Sequence, residues 1–161
     1  MRTLRSDGAF ADDAFTRVRA LKDDEPLPEG DLLLPLAVWQ SRQDALRERS
    51  VGVWLENTVE PDTLDDAVLS VPLLAVDFPA FNDGRGLSIA VLLRSRRHYS
   101  GDLRAVGDVQ PDQLSYMRRC GFSSFELAPN ADISAAARQL RVMSEYYQGS
   151  TVDPLPLYRR R

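Results

Sequence analysis

The segment NDGRG, residues 82–86, has the residue types best suited to binding a ligand. Gly84 and Gly86 allow the backbone to approach another group closely. Between them, Arg85 offers a planar guanidinium that holds an oxyanion through two parallel hydrogen bonds. Free amides at the start of the following helix would assist it. The segment therefore predicts an anion-binding loop. It matches neither the GxGxxG fingerprint nor a P-loop, so it carries no nucleotide-binding signature.

The same segment admits a purely structural interpretation. In that interpretation Asp83 caps the next helix, and Arg85 pairs with Asp77 or Asp108. Sequence alone leaves both interpretations open. The predicted ligand-binding residues are Asn82, Asp83, Gly84, Arg85, Gly86 and Asp77.

Four carboxylates lie at the ends of predicted strands, or just after them, and would share one rim. They are Asp77, Asp83, Asp108 and Glu126. Such a set is able to bind Mg²⁺ or to act as acid and base. Asp108 is also an obvious helix cap, whereas Glu126 lies within a strand, where a carboxylate is unusual unless it is paired or functional. No metal site and no catalytic residue is assigned, because the spacing fixes no distances. The candidates for catalysis are Asp108, Glu126 and Cys120.

Cys120 and His98 are the only residues of their types. A single cysteine forms no internal disulfide and cannot supply the four thiolates of a typical iron–sulfur cluster. A structural zinc site of cysteine and histidine ligands is excluded for the same reason. The neighbouring arginines favour a lower thiol pKa at Cys120, but the end of a packed helix is more typical of a small buried side chain. His98 follows a helix near a turn and is expected to be solvated. No cofactor is predicted.

Alternating strands and helices position these residues. The pattern predicts strands at 51–56, 73–78, 103–107 and 123–127, with helices at 61–70, 86–98, 111–120 and 133–147. A βαβα order implies a parallel sheet with right-handed crossovers, whose ligands gather beyond the carboxyl ends of the strands. The expected fold is therefore α/β, made of successive βα units. Four such units can form a small open sheet, and they also resemble half of a (β/α)8 barrel. A half-barrel leaves sheet edges that an N-terminal arm or a second copy would cover.

The remaining segments frame this domain. Residues 1–30 are predicted to be a polar N-terminal arm, residues 31–148 a single α/β domain, and residues 149–161 a flexible C-terminal tail. Within the domain, 32–34 is a further short strand, followed by a helix from Pro35. The last helix carries an apolar stripe that is interpreted as core or interface. Its members are Ile133, Ala136, Leu140, Met143 and Tyr147.

Charge and hydropathy argue against two classes of partner, nucleic acids and membranes. The chain has 161 residues and a formal net charge of −4, without a long basic run, which argues against nucleic-acid binding. No apolar run approaches the roughly 20 residues that span a bilayer, so no membrane partner is predicted. The first residues have no apolar core of a secretory signal, and a cytoplasmic location is expected.

Three stretches carry a family resemblance. They are FPAFNDGRGLSIAVLLR, GDLRAVGDVQPDQLSYMRRCGFSSFEL and, earlier, DEPLPEGDLLLPLAVW. Together they resemble the bacterial DUF934 family over about residues 24–147. Three positions depart from its usual pattern: Asn82 replaces threonine, Leu87 replaces tyrosine and Ala128 replaces arginine. The change at 87 weakens any claim for an essential aromatic hydroxyl, and the change at 128 weakens an anion site that needs two arginines.

The resemblance implies a role in sulfite reduction, because genes of this family tend to neighbour that of the haemoprotein sulfite reductase. That link is one of association. Without ligands for a redox centre, the expected role is accessory and non-redox, with sulfite reductase as the partner. The alternative is a small enzyme acting on an anionic metabolite, with Arg85 as anion binder and Asp108 or Glu126 as acid or base. A homodimer is compatible with either role.

Overall fold

The computed structural model describes residues 2–21 and 25–160. Its strands are β1 (Arg2–Arg5), β2 (Phe10–Asp12), β3 (Phe15–Arg17), β4 (Asp31–Pro35), β5 (Val51–Leu55), β6 (Leu73–Phe78), β7 (Asp102–Gly107) and β8 (Ser124–Phe125). The helices are α1 (Leu36–Ser41), α2 (Gln43–Leu46), α3 (Asp66–Leu69), α4 (Arg85–Ser95), α5 (Leu114–Cys120) and α6 (Ile133–Gln139). Short 3-10 turns occupy Pro61–Thr63, Pro111–Gln113 and Leu157–Arg159. All five predicted strands are present, the last shortened to two residues. No helix in these ranges is long and apolar enough to cross a membrane.

All eight strands form one sheet in the order β2-β1-β8-β7-β6-β5-β4-β3. From β3 to β8 neighbouring strands run parallel, as predicted for βα units. However, β1 runs antiparallel to β8, and β2 runs antiparallel to β1. The prediction of a purely parallel sheet is therefore wrong at this edge. Only a short turn joins β1 to β2, and such a turn permits a hairpin but not the crossover that parallel strands require.

The sheet curls into a half-barrel whose edges are covered by the N-terminal residues. Its two edge strands, β2 and β3, are separated in the chain only by Asp13 and Ala14. β2 pairs with β1, and β3 pairs with β4. The segment β2–β3 therefore behaves as one strand interrupted by two residues, and it connects the two edges of the curled sheet. The predicted polar arm therefore contributes three strands. Residues 1 and 22–24 of that arm lie outside the described residues.

The strand periodicity separates two faces. Side chains on the outer face, among them Val53, Val76 and Phe125, pack beneath the helices in the main core. Alternate side chains point to the concave face, where Leu33, Leu73, Ala75 and Val106 form a second buried cluster. Phe15 and Trp54 pack against that cluster. Because successive residues of a strand face opposite sides, Arg17 shares the concave face with Phe15.

The C-terminal helix is shorter than predicted. It begins where expected, with the carboxylate of Asp132 accepting hydrogen bonds from the amides of Ser134 and Ala135, but it ends at Gln139 instead of residue 147. In its apolar stripe, Ala136 and Leu140 are buried, whereas Ile133, Met143 and Tyr147 are exposed. Beyond Leu140 these side chains have no element of the sheet to cover them, so burial does not extend the helix.

Residues 149–160, expected to form a flexible tail, have specific contacts. Thr151 donates its hydroxyl to the carbonyl of Arg119 at 2.7 Å. Arg160 pairs with both Glu145 and Asp153. The tail prediction also covers residue 161, which lies outside the described residues. The segment therefore folds back against the end of α5.

Candidate functional site

Arg17 and Glu126 form an ion pair on the concave face of the sheet. Nη1 of Arg17, at the end of β3, donates to Oε1 of Glu126, just after β8, at 3.3 Å. Their side chains are 15% and 17% exposed, so the pair lies directly beneath the surface. The guanidinium also lies over the indole of Trp54, 5.6 Å from the ring centroid, within the range of a cation–π contact.

Four polar atoms of these side chains are buried without a hydrogen-bond partner. They are Nε and Nη2 of Arg17, Nε1 of Trp54 and Oε2 of Glu126. Nε and Nη2 form the side of the guanidinium that presents two parallel N–H groups. Buried polar groups are paired in most proteins, so an unpaired set of three donors and one acceptor requires an explanation. These four atoms are able to hydrogen-bond a small polar molecule.

Asp77 extends this cluster. It is in register with Val106 of β7, and the amide of Glu126 donates to the carbonyl of the preceding Ala105, so both carboxylates flank β7 at nearly the same level. Burial raises the pKa of Asp77, and Glu56 acts in the same direction, while Arg17 and Arg19 oppose the shift. Arg17, Trp54, Asp77 and Glu126 are called the concave mouth below.

A second ion pair lies deeper on the same face and has a structural role. Arg104 of β7 donates to Asp13, in the link between β2 and β3, at 2.8 Å, and both side chains are almost fully buried. Arg104 also contacts Ser124. Arg104 and Asp13 are hydrogen-bonded to each other, so this pair holds the link between β2 and β3 against the sheet. The unpaired donors on this face belong to the concave mouth.

The NDGRG segment lies apart from this cluster, at the start of α4. Asp83 accepts from Nε and Nη2 of Arg85, at 3.0 and 2.6 Å, and from the side-chain Nδ2 of Asn57 at 2.6 Å. Arg85 is 59% exposed, and its hydrogen bonds lower the pKa of Asp83 to about 2. Asn82 and Gly84 are exposed, whereas Gly86 is buried against Phe78. The fork of Arg85 is thus occupied by a neighbouring carboxylate and not by Asp77 or Asp108, the partners that the sequence suggested.

Asp108 stabilises a turn and does not cap a helix as expected. Its carboxylate accepts from the amide of Phe81 at 3.0 Å and from the side chain of Gln110 at 2.8 Å. Gln110 is the capping residue instead, through reciprocal side-chain bonds with Gln113. The reason is position, because the chain continues for two residues beyond Asp108 before it turns into the helix. Asp108 therefore links two loops at the rim.

Cys120 is buried at the end of α5, and Gly121 terminates that helix with a φ of 114°, as predicted. Burial raises the pKa of the thiol, although Arg119 acts in the opposite direction. Cys120 and His98 line a hollow of about 730 Å³ between α4, α5 and the C-terminal segment. This hollow is remote from the concave mouth. Within residues 2–21 and 25–160, no three histidine, cysteine or carboxylate side chains are grouped to hold a metal ion.

In the structure Asp77 and Glu126 flank β7 on the concave face, whereas Asp83 and Arg85 bind each other and Asp108 binds Phe81 and Gln110. Sequence reasoning missed Arg17 and Trp54. For Trp54 a signal was present in VGVWLE. Trp54 lies on the opposite face of the strand from Val53 and Leu55, and a large aromatic side chain there indicates that this second face also packs against other residues. Arg17 had no such signal, because nothing in a short polar segment indicates a strand.

Comparison with known proteins gives the family. A family model described as a bacterial protein of unknown function, DUF934, matches residues 52–158. No curated protein and no solved structure matches the chain. The matched range is well over half of the sequence, and it runs from the second residue of β5 through β8, with the helices that follow these strands. This chain belongs to the DUF934 family.

Proposed function

We propose that this protein binds a small oxyanion at the concave mouth and acts as an accessory, non-redox protein of assimilatory sulfite reduction. One observation carries the proposal. Nε and Nη2 of Arg17 are buried and without a hydrogen-bond partner, as are the indole N–H of Trp54 and Oε2 of Glu126. Each unsatisfied buried group costs about 1–3 kcal/mol, which is a large fraction of the stability of a small domain. A ligand that pairs these groups would recover that energy.

The unpaired groups describe the ligand. Nε and Nη2 of Arg17 suit two oxygens of one oxyanion, and the indole N–H of Trp54 suits a third acceptor. Oε2 of Glu126 accepts a hydrogen bond, so the ligand also carries a donor. Asp77, with its raised pKa, adds a carboxyl group that is protonated more readily than usual. A small, partly protonated oxyanion satisfies all of these groups.

The pathway assignment rests on the family. The resemblance to DUF934 proteins links the chain to sulfite reduction, and sulfite is a small oxyanion that carries a proton near neutral pH. Support for an accessory role comes from the composition, since a single cysteine and a single histidine provide too few ligands for a redox cluster. We therefore propose sulfite reductase as the partner that receives the anion.

Calorimetric titration with sodium sulfite tests the site. Arg17→Lys keeps the charge but removes the fork, and Trp54→Phe keeps the ring but removes the N–H. Each variant is expected to weaken binding by about tenfold or more, as expected for the loss of a hydrogen bond to a charged group. Arg47→Lys, in an exposed pair with Asp44 outside the concave mouth, is the matched control. No binding of sulfite, sulfate or phosphate to the wild type would remove the basis of the proposal.

Growth tests the pathway. A deletion strain should fail on sulfite as sole sulfur source and recover on sulfide. Complementation with wild type should restore growth on sulfite, and complementation with Arg17→Lys should not. Normal growth of the deletion strain on sulfite would exclude an essential role in that step, even if the anion site is real.

A second function is favoured by the two carboxylates at the mouth. Glu126 has one free oxygen, and Asp77 has a raised pKa, the pairing of base and acid that proton-transfer enzymes use. In this alternative Arg17 takes the role of anion binder that the sequence assigned to Arg85. Incubation with a metabolite extract, followed by mass spectrometry, tests it. If the protein is an enzyme, the wild type should consume a compound of the extract, and Glu126→Gln should bind that compound without converting it.

A further inference from the structure

The C-terminal segment carries most of the exposed apolar side chains of the described residues. Ten large hydrophobic side chains are exposed, and six of them form what is called here the C-terminal apolar surface. They are Val142, Met143, Tyr147, Val152, Leu155 and Tyr158. Clustered exposed apolar residues typically mark an interaction site, whereas scattered ones do not.

This surface is held in a fixed shape. Tyr147 and Tyr158 are in contact, with ring centroids 6.3 Å apart, and the amide of Leu157 donates to the carbonyl of Tyr147. Arg160 binds Glu145 and Asp153 at once and donates to the carbonyl of Leu155. These contacts tie together the two ends of a segment that has only one short 3-10 turn. The segment is thus preorganised for binding, which lowers the entropy cost of association.

The segment that carries the surface has more arginines than carboxylates. Residues 133–160 contain four arginines and two carboxylates, in a chain with a net charge of −4. Both carboxylates pair with Arg160, while Arg138, Arg141 and Arg159 are exposed, and Arg138 also interacts electrostatically with Asp132, just before this range. An apolar surface with tyrosine and methionine, in a segment with an excess of arginine, has the composition of a protein interface.

We propose that the C-terminal apolar surface docks a partner protein that presents an apolar patch bordered by carboxylates. A second copy of the same surface is disfavoured because it would place arginines against arginines. A lipid surface is disfavoured because the segment forms turns and lacks the amphipathic helix that lies in a membrane interface. The inference uses residues remote from the concave mouth and does not depend on the function proposed there.

Site-specific photocrosslinking tests the surface in the full chain and in the bacterium of origin. A benzophenone amino acid replaces Tyr147, whose exposed fraction of 71% makes the change tolerable, and Gln40 on α1 is the control position. The expected result is a single crosslinked protein at position 147 that is absent at position 40. A product that contains only a second copy of this chain overturns the proposal, as does the absence of any product.

Charge reversal completes the test with the purified crosslinked protein. Arg138→Glu together with Arg141→Glu should weaken its binding by about tenfold or more, and added salt should weaken wild-type binding in the same direction. Arg47→Glu should have no effect, and circular dichroism should show that all variants are folded. Equal binding by the double variant overturns the proposal, and so does flotation of wild type, but not of the double variant, with vesicles of anionic lipid.

Discussion

The guanidinium of Arg17 donates to the carboxylate of Glu126 at 3.3 Å, although the two residues are 109 positions apart in the chain. The contact connects β3, at one edge of the sheet order, with the end of β8, which lies five strands away in that order. Only a curled sheet makes such a contact possible. The same curl encloses the unpaired atoms of the concave mouth, so fold closure and the candidate site have one origin.

Removing one member of this pair should destabilise the protein more than removing both. Arg17→Met leaves Glu126 buried without a counter-charge and is expected to cost about 3 kcal/mol of unfolding free energy, and Glu126→Leu a similar amount. The double variant should cost clearly less than the sum. Urea denaturation of the four proteins measures the coupling. Arg47→Met, which breaks an exposed pair with Asp44, should change stability by less than about 0.5 kcal/mol. Strict additivity at residues 17 and 126 would mean that the pair contributes nothing.

Asp77 should make stability fall as the pH rises. Burial raises its pKa above the ordinary value of 3.8, so the unfolded chain loses this proton at a lower pH than the folded protein does. Above that pH, folding must either bury the charged carboxylate or take up a proton, and both cost free energy. That cost is absent below the ordinary pKa, develops as pH rises through the folded pKa, and is complete above it. Asp77→Asn should therefore raise the melting temperature near neutral pH, and the gain should vanish in acid.

Asp83 provides the opposite sign as a control. Its pKa is lowered to about 2, so its stabilising contribution is present above the ordinary carboxyl pKa and is lost as pH falls through the folded value. Asp83→Asn should consequently lower the melting temperature near neutral pH. A loss of stability in Asp77→Asn at neutral pH would contradict the assigned direction of the shift at Asp77.

Gly107 ends β7 beside the concave mouth, where a side chain is excluded twice. Its φ is +101°, and a Cβ would meet the carbonyl oxygen of Phe78 and lie 3.0 Å from Oδ1 of Asp77. Gly107→Ala is expected to cost about 3 kcal/mol and to weaken sulfite binding through displacement of Asp77. Gly30 is a matched control, because its φ is +86° but nothing lies within 4 Å of an added Cβ. Gly30→Ala should cost about 1–2 kcal/mol, the penalty of the backbone conformation alone. Equal losses at the two positions would show that the close approach is unimportant.

Cys120 should react slowly with thiol reagents in the native protein. Its burial raises the thiol pKa, and the thiolate is the reactive form. Alkylation by iodoacetamide near pH 8 should be much slower than that of a free cysteine and should reach the free rate in denaturing urea. Native-state alkylation at the free rate would restore Cys120 as a candidate nucleophile.

The sequence by itself determined much of the central architecture. Alternating apolar residues at Val51, Val53 and Leu55 define a strand without any knowledge of its neighbours, because each strand buries its own face. The helix limits at Gly121 and Asp132 were equally readable, since a left-handed cap and a side-chain cap are local chemistry. For the same reason the βα order was predictable, whereas the sequence left open whether the strands form an open sheet or half of a barrel.

Tertiary structure alone decided how the sheet closes and where the site lies. β1 to β3 are short and polar, and they become strands only because β8 offers an edge to β1, β1 to β2, and β4 to β3. That closure places Arg17 beside Trp54 and Glu126, a grouping that no local pattern encodes. Conversely, the conspicuous Arg85 is bound by its own neighbour Asp83. Local propensity specifies each element, but the pairing of side chains distant in sequence depends on the curl of the whole sheet.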